Sequence, residues 1–163
     1  MKKKENSFCY IDGANLHKGV ASLGWKLDYH RFRIWLKEKH NIKNAYIFIG
    51  LMPDRKDLYT SLQEMGYLLV YKEISYDGVG KVKGNCDADL VLKSVVDYYE
   101  KRFDKVVIVS NDGDYAGLVQ FFKEKGVLHT LISPSNKCSY LLRKLNVPLL
   151  YLDTQRSNLK WNA

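Results

Sequence analysis

The chain has 163 residues, enough for one domain with a sizeable buried core. Apolar residues make up 46% of it, which excludes a disordered chain, and no run approaches the length of a membrane span. A formal net charge of +8 favours polyanionic partners, nucleic acid before acidic membrane.

The opening MKKKENSFCYID is basic but lacks the apolar stretch of a signal peptide, because Asp12 interrupts after FCYI. Phe8–Ile11 reads as a first strand, Gly13 permits a sharp turn, and Asn15 stands at the N-cap position of a helix over Asn15–Leu23. A helix over Tyr29–His40, a strand over Ala45–Ile49, a helix over Lys56–Met65 and a strand over Tyr67–Tyr71 follow. Ser75–Asn85, SYDGVGKVKGN, reads as a Gly- and Lys-rich loop leading into a long helix over Asp87–Phe103. The remaining strands are Val106–Val109, Leu128–Ile132 and Leu149–Leu152, separated by helices over Tyr115–Lys125 and Ser139–Leu145. Asp153–Ala163 is a polar tail, expected to be loosely held unless Trp161 docks it.

Strands alternate with helices, and most strand runs are short, apolar and not alternating. That pattern predicts an α/β domain over residues 1–163 with a parallel sheet covered by helices on both faces. Cys9, Cys86 and Cys138 are odd in number and form no CxxC pair, which argues against a disulfide framework or zinc site and for a reducing, cytoplasmic setting.

In such sheets, sites form in the crevice beyond the carboxyl ends of the strands. Asp12 directly follows the first strand and Asp112 follows the fourth by three residues, so both are expected on one rim. Asp87 shares a helical face with the apolar Leu90 and Val91 and with Ser94 and Tyr98, a carboxylate on the inward side. Asp89 lies roughly opposite and reads as a solvated charge, as does Asp97 further down the polar side. Asp114 suits capping of the helix that follows, whereas Asp112 lacks that explanation. Carboxylates brought together at ~4 Å repel by on the order of 4 kcal/mol per pair at an effective dielectric near 20. Either protons are retained or a divalent cation sits among them. All-oxygen ligands suit Mg²⁺ or Mn²⁺ better than Zn²⁺. On a basic protein such a site points to a phosphate-ester substrate.

The motifs YIDGANL, KVKGNCDADLVL and VVIVSNDGDYAGLV stand in the order and approximate spacing of the NYN domain, a member of the PIN-like nuclease superfamily, and the chain resembles most its LabA-like branch. The resemblance runs from Phe8 to about Tyr151. It implies a three-layer, Rossmann-like α/β/α sandwich and a Mg²⁺- or Mn²⁺-dependent nuclease acting mainly on RNA. Carried over by position, the acids are Asp12, Asp87, Asp112 and Asp114, with Asn15 beside the first and Ser110 opening the last motif. Tyr115 stands where phenylalanine is more usual, keeping the packing ring.

The expected chemistry is phosphodiester hydrolysis by a metal-bound water, with Asn15 and Ser110 orienting carboxylates or a phosphate oxygen and Lys81 and Lys83 gripping substrate beside the cut. The partner is single-stranded or structured RNA, and an uncovered apolar patch would point to a homodimer. A non-catalytic RNA-binding module of the same fold is the alternative. A haloacid-dehalogenase-type phosphatase fits poorly, since the first motif lacks its second aspartate.

Overall fold

Continuous apolar runs become six strands of one all-parallel sheet: β1 (Ser7–Asp12), β2 (Ile42–Leu51), β3 (Tyr67–Glu73), β6 (Lys105–Val109), β7 (Leu128–Ser133) and β8 (Leu149–Tyr151). The computed structural model describes residues 5–51, 55–73, 75–76, 78, 82–83 and 86–162. Every residue of β1 is buried, and its alternating side chains feed two separate cores. Phe8 and Tyr10 pack with Phe48, Ile108 and Leu131 on one face, while Cys9 and Ile11 pack with Ile47, Val107 and Ile132 on the other. Burying each large side chain stabilises the fold by about 1.5–3 kcal/mol.

Helices close both faces. α1 (Gly13–Ser22), α2 (Tyr29–His40), α3 (Lys56–Glu64) and α7 (Arg156–Leu159) send Leu16, Phe32, Leu62 and Leu159 into one core. α4 (Asp87–Tyr99), α5 (Ala116–Glu124) and α6 (Tyr140–Arg143) send Leu90, Phe122 and Leu142 into the other. The result is a three-layer α/β/α sandwich with strand order β3-β2-β1-β6-β7-β8. The chain builds outward from β1 to β3, then crosses back through α4 to lay β6 on the other side of β1. The order therefore reverses between β1 and β6, and a crevice opens at their carboxyl ends.

Four expectations need correction. Ser75–Asn85 is not wholly loop, because β4 (Ser75–Tyr76) and β5 (Val82–Lys83) pair as an antiparallel hairpin. α4 stops at Tyr99, four residues early, where Lys101 turns left-handed at φ 57° and the amide of Arg102 bonds back to the Asp97 carbonyl. Asp97 is not a surface charge: it is 1% exposed and accepts from the Tyr10 hydroxyl at 2.6 Å, Arg102 Nη1 at 2.9 Å and Lys93 Nζ at 3.1 Å. The polar tail is docked, with Leu159 buried, the Leu159 carbonyl accepting from the Asp28 amide at 2.8 Å, and the Trp161 amide donating to the Lys26 carbonyl at 2.7 Å. Backbone pairing and Leu159 do this work, for the Trp161 ring itself is half exposed.

The outer side of α4 leaves Leu92, Val96 and Tyr99 exposed at helical spacing. No helix among the described residues is long and apolar enough to cross a membrane, and all three cysteines are free and buried.

Candidate functional site

Asp12 ends β1 and caps α1, its Oδ1 accepting from the Asn15 amide at 3.1 Å. The helix begins at once because residue 13 is glycine: a Cβ there would stand 2.6 Å from Ile49 Cγ2 and 2.8 Å from the Phe48 carbonyl. Asn15 is thus inside the helix rather than capping it. Its amide faces Asn111, donating Nδ2 to Asn111 Oδ1 at 2.6 Å and accepting from the Asn111 backbone amide at 3.0 Å. Asn111 Nδ2 goes on to Ser135 Oγ at 2.7 Å. These bonds tie the start of α1 to the loops that follow β6 and β7.

Beyond β6, Ser110 is fully buried and its Oγ accepts from the Asp112 amide at 3.1 Å. Asp112 Oδ1 in turn accepts from the Asp114 amide at 2.9 Å, capping a 3-10 turn at Gly113–Tyr115. The capping role expected of Asp114 therefore belongs to Asp112, and α5 starts with no side-chain cap of its own. Asp114 is left exposed. Gly113 packs closely, since a Cβ there would stand 2.5 Å from Ser139 Oγ and force that side chain to move.

Asp87 opens α4 at the same rim. Oxygens of Asp87, Asp112 and Asp114 lie within 4.8 Å of one another. Asp12 sits behind them, 8% exposed, joined to Asp87 through Tyr115, whose hydroxyl donates to Asp87 Oδ1 at 2.7 Å and to Asp12 Oδ2 at 3.0 Å. Burial raises the Asp12 carboxyl above the usual carboxylate range, the charges of Asp87 and Asp112 add to this, and the bonds from Asn15 and Tyr115 oppose it. Burial, followed by the charge of Asp12 and the hydrogen bond to Asp87, also raises the Tyr115 phenol, so the ring stays a donor.

The donor set fits a hard divalent cation. An octahedral Mg²⁺ shell with oxygens at about 2.1 Å spans roughly 3–4 Å between ligands, a space of the order these three carboxylates bracket. Among the described residues no ion pair reaches Asp112 or Asp114. Nearby Cys86 is no thiolate: burial, then the charge of Asp12, pushes its thiol up to about 11.

The other candidate residues fall differently. Asn15 and Ser110, expected to orient carboxylates or a phosphate oxygen, bond to Asn111 and to the Asp112 amide and so shape the backbone that carries Asp112. Asp89 turns away to Lys72, 3.8 Å off. Lys81 lies outside the described residues, and Lys83 is described only as part of β5. Sequence reasoning assigned no role to Asn111 or Ser135, and read Tyr115 as a packing ring although its hydroxyl joins two acids. The available signal was the S-P-S segment at Ser133–Ser135, which follows the strand next to β6 and so belongs to the same rim.

The sequence model of the NYN domain matches residues 8–146. Low amplitude and bright protein LabA of Synechococcus elongatus is 24% identical over 156 residues, covering 91% of this chain and 84% of LabA. The crystal structure of a Vibrio parahaemolyticus protein of unknown function superposes with a TM-score of 0.80 over 99% of this chain and all of that one, at 18% identity, a likeness of fold. This chain belongs to the NYN domain family, within the PIN-like nuclease superfamily.

Proposed function

We propose that this NYN domain hydrolyses phosphodiester bonds in RNA, with Mg²⁺ or Mn²⁺ held by Asp87, Asp112 and Asp114 and with Asp12 completing the acidic site. The observation that carries the reading is the convergence of those three carboxylates at the carboxyl-end crevice of the sheet, without a cationic side chain paired to Asp112 or Asp114 among the described residues. A bound ion of this kind supplies an activated water and offsets charge developing on the phosphate. The chain's own residues do the rest. The Asn15–Asn111–Ser135 bonds keep the start of α1 and the loops after β6 and β7 in register, and the Asp112 cap aims that carboxylate. Asp114, the exposed acid, is the one placed to orient a water from the solvent side. The net charge of +8 favours the polyanion, with Lys81 and Lys83 as the proposed grip next to the cut. Three free cysteines fit a reducing cytoplasm.

The test is incubation with labelled single-stranded RNA, structured RNA and DNA in Mn²⁺, Mg²⁺ or EDTA. Cleavage of RNA is expected with either metal and not in EDTA. Asp87→Asn and Asp112→Asn should each slow it on the order of 100-fold or more while melting near the parent temperature. Tight RNA binding with no cut under any metal would make this a binding module, and phosphate release from monoesters would make it a phosphatase.

A further inference from the structure

We infer that the Tyr115 hydroxyl is a positioning strut for the ion site: by joining Asp12 to Asp87 it fixes the direction of the Asp87 carboxylate and thereby sets divalent-metal affinity. The inference rests on the proposed metal reading and adds a residue to it whose only evident duty in the sequence was packing.

Asp87 needs such a strut. It is the first residue of α4, and the position before it, Cys86, gives the helix no side-chain cap. Its side chain is partly exposed at the start of a new element. Asp12, by contrast, is buried at the end of a fully buried strand and is held at Oδ1 by the Asn15 amide. Tyr115 itself is fully buried within the core that contains Leu90 of α4 and Tyr10 of β1. A rigid ring anchored there reaches Asp87 Oδ1 at 2.7 Å and Asp12 Oδ2 at 3.0 Å. A phenol has one hydrogen, so the two carboxylates share it and are drawn to one point instead of repelling apart. A carboxylate has two oxygens, and fixing one aims the other. Partners of this outer kind commonly change metal affinity by about 10–100-fold when removed.

The measurement is Mn²⁺ affinity by electron paramagnetic resonance, beside a thermal melt of each metal-free protein. Tyr115→Phe keeps the ring and removes only the oxygen. It should weaken Mn²⁺ binding about 10–100-fold in protein that still melts cooperatively. Because the lost hydroxyl leaves two acids face to face, the Tyr115→Phe/Asp12→Asn pair provides a comparison in which that repulsion is gone. It should bind Mn²⁺ at least about threefold more weakly than Asp12→Asn alone, since Asp87 still loses its strut. Affinity within twofold of the matching parent, or tighter, in either background overturns the strut. Parent protein that binds no Mn²⁺, or Asp112→Asn that binds it as tightly as the parent, overturns the metal site itself and the strut with it.

Discussion

His40, at the end of α2, is 8% exposed, and neither of its ring nitrogens has a hydrogen-bond partner among the described residues. Its ring stands edge-on to Trp35 at 4.8 Å and to His129 at 5.2 Å between centroids. Burial first, and the neighbouring His129 second, lower its pKa from 6.5 to about 4. An unfolded chain takes up that proton near pH 6.5, whereas the folded one refuses it until about pH 4, so folding loses stability as pH falls through that window. The loss is on the order of 3 kcal/mol across the window. Urea midpoints from pH 7.5 to 4 should therefore fall less steeply for His40→Leu than for the parent, and equal slopes would show that His40 does not titrate in this way. Asp12 shifts in the opposite sense, so the difference between the two proteins, not the raw slope, carries the result.

At the level of elements, α4 carries a half-buried aspartate at its start, Asp87, and a buried one near its end, Asp97, with unlike functions. Asp97 lies about 15 Å along the helix from Asp87 and binds α4 to β1 through Tyr10 and to the following turn through Arg102. Asp97→Ala should cost about 3–5 kcal/mol in a denaturant titration, because the Tyr10 hydroxyl and two cationic groups lose their shared partner. Mn²⁺ affinity of the folded fraction should stay at the parental value, which separates this aspartate from the rim acids. The same contrast shows what could be read in advance. All six sheet strands were legible, since strands covered on both faces are unbroken apolar runs, and Tyr29–His40 matched to the residue. Asp97 was not legible, because its deciding partner, Tyr10, is 87 positions away. Nor was the choice of cap: Asp12, Asn15, Asp112 and Asp114 are all good capping residues, and only the fold says which amide meets which carboxylate. The hairpin within Ser75–Asn85 has two-residue strands, too short to show any period.

For the whole molecule, the excess of positive charge predicts a binding signature independent of catalysis. RNA affinity, measured in EDTA so that no cutting occurs, should fall linearly in a plot of log K against log salt concentration. Replacing Lys2–Lys4 with alanine should flatten that slope by about 2, at roughly 0.7 per single-strand phosphate contact. An unchanged slope would remove the N-terminal lysines from the interface.

The reversal of strand order next to β1 has one more consequence, for the cell that makes this protein. Asp12 leaves the ribosome a hundred residues ahead of Asp112, and Tyr115, which draws Asp12 and Asp87 to one point, comes later still. Under the proposed reading, a half-made chain, born amid ribosomal and messenger RNA, cannot yet assemble the blade it will carry. The rim is complete only once β6 pairs beside β1 and brings Asp112 and Tyr115 up to Asp12.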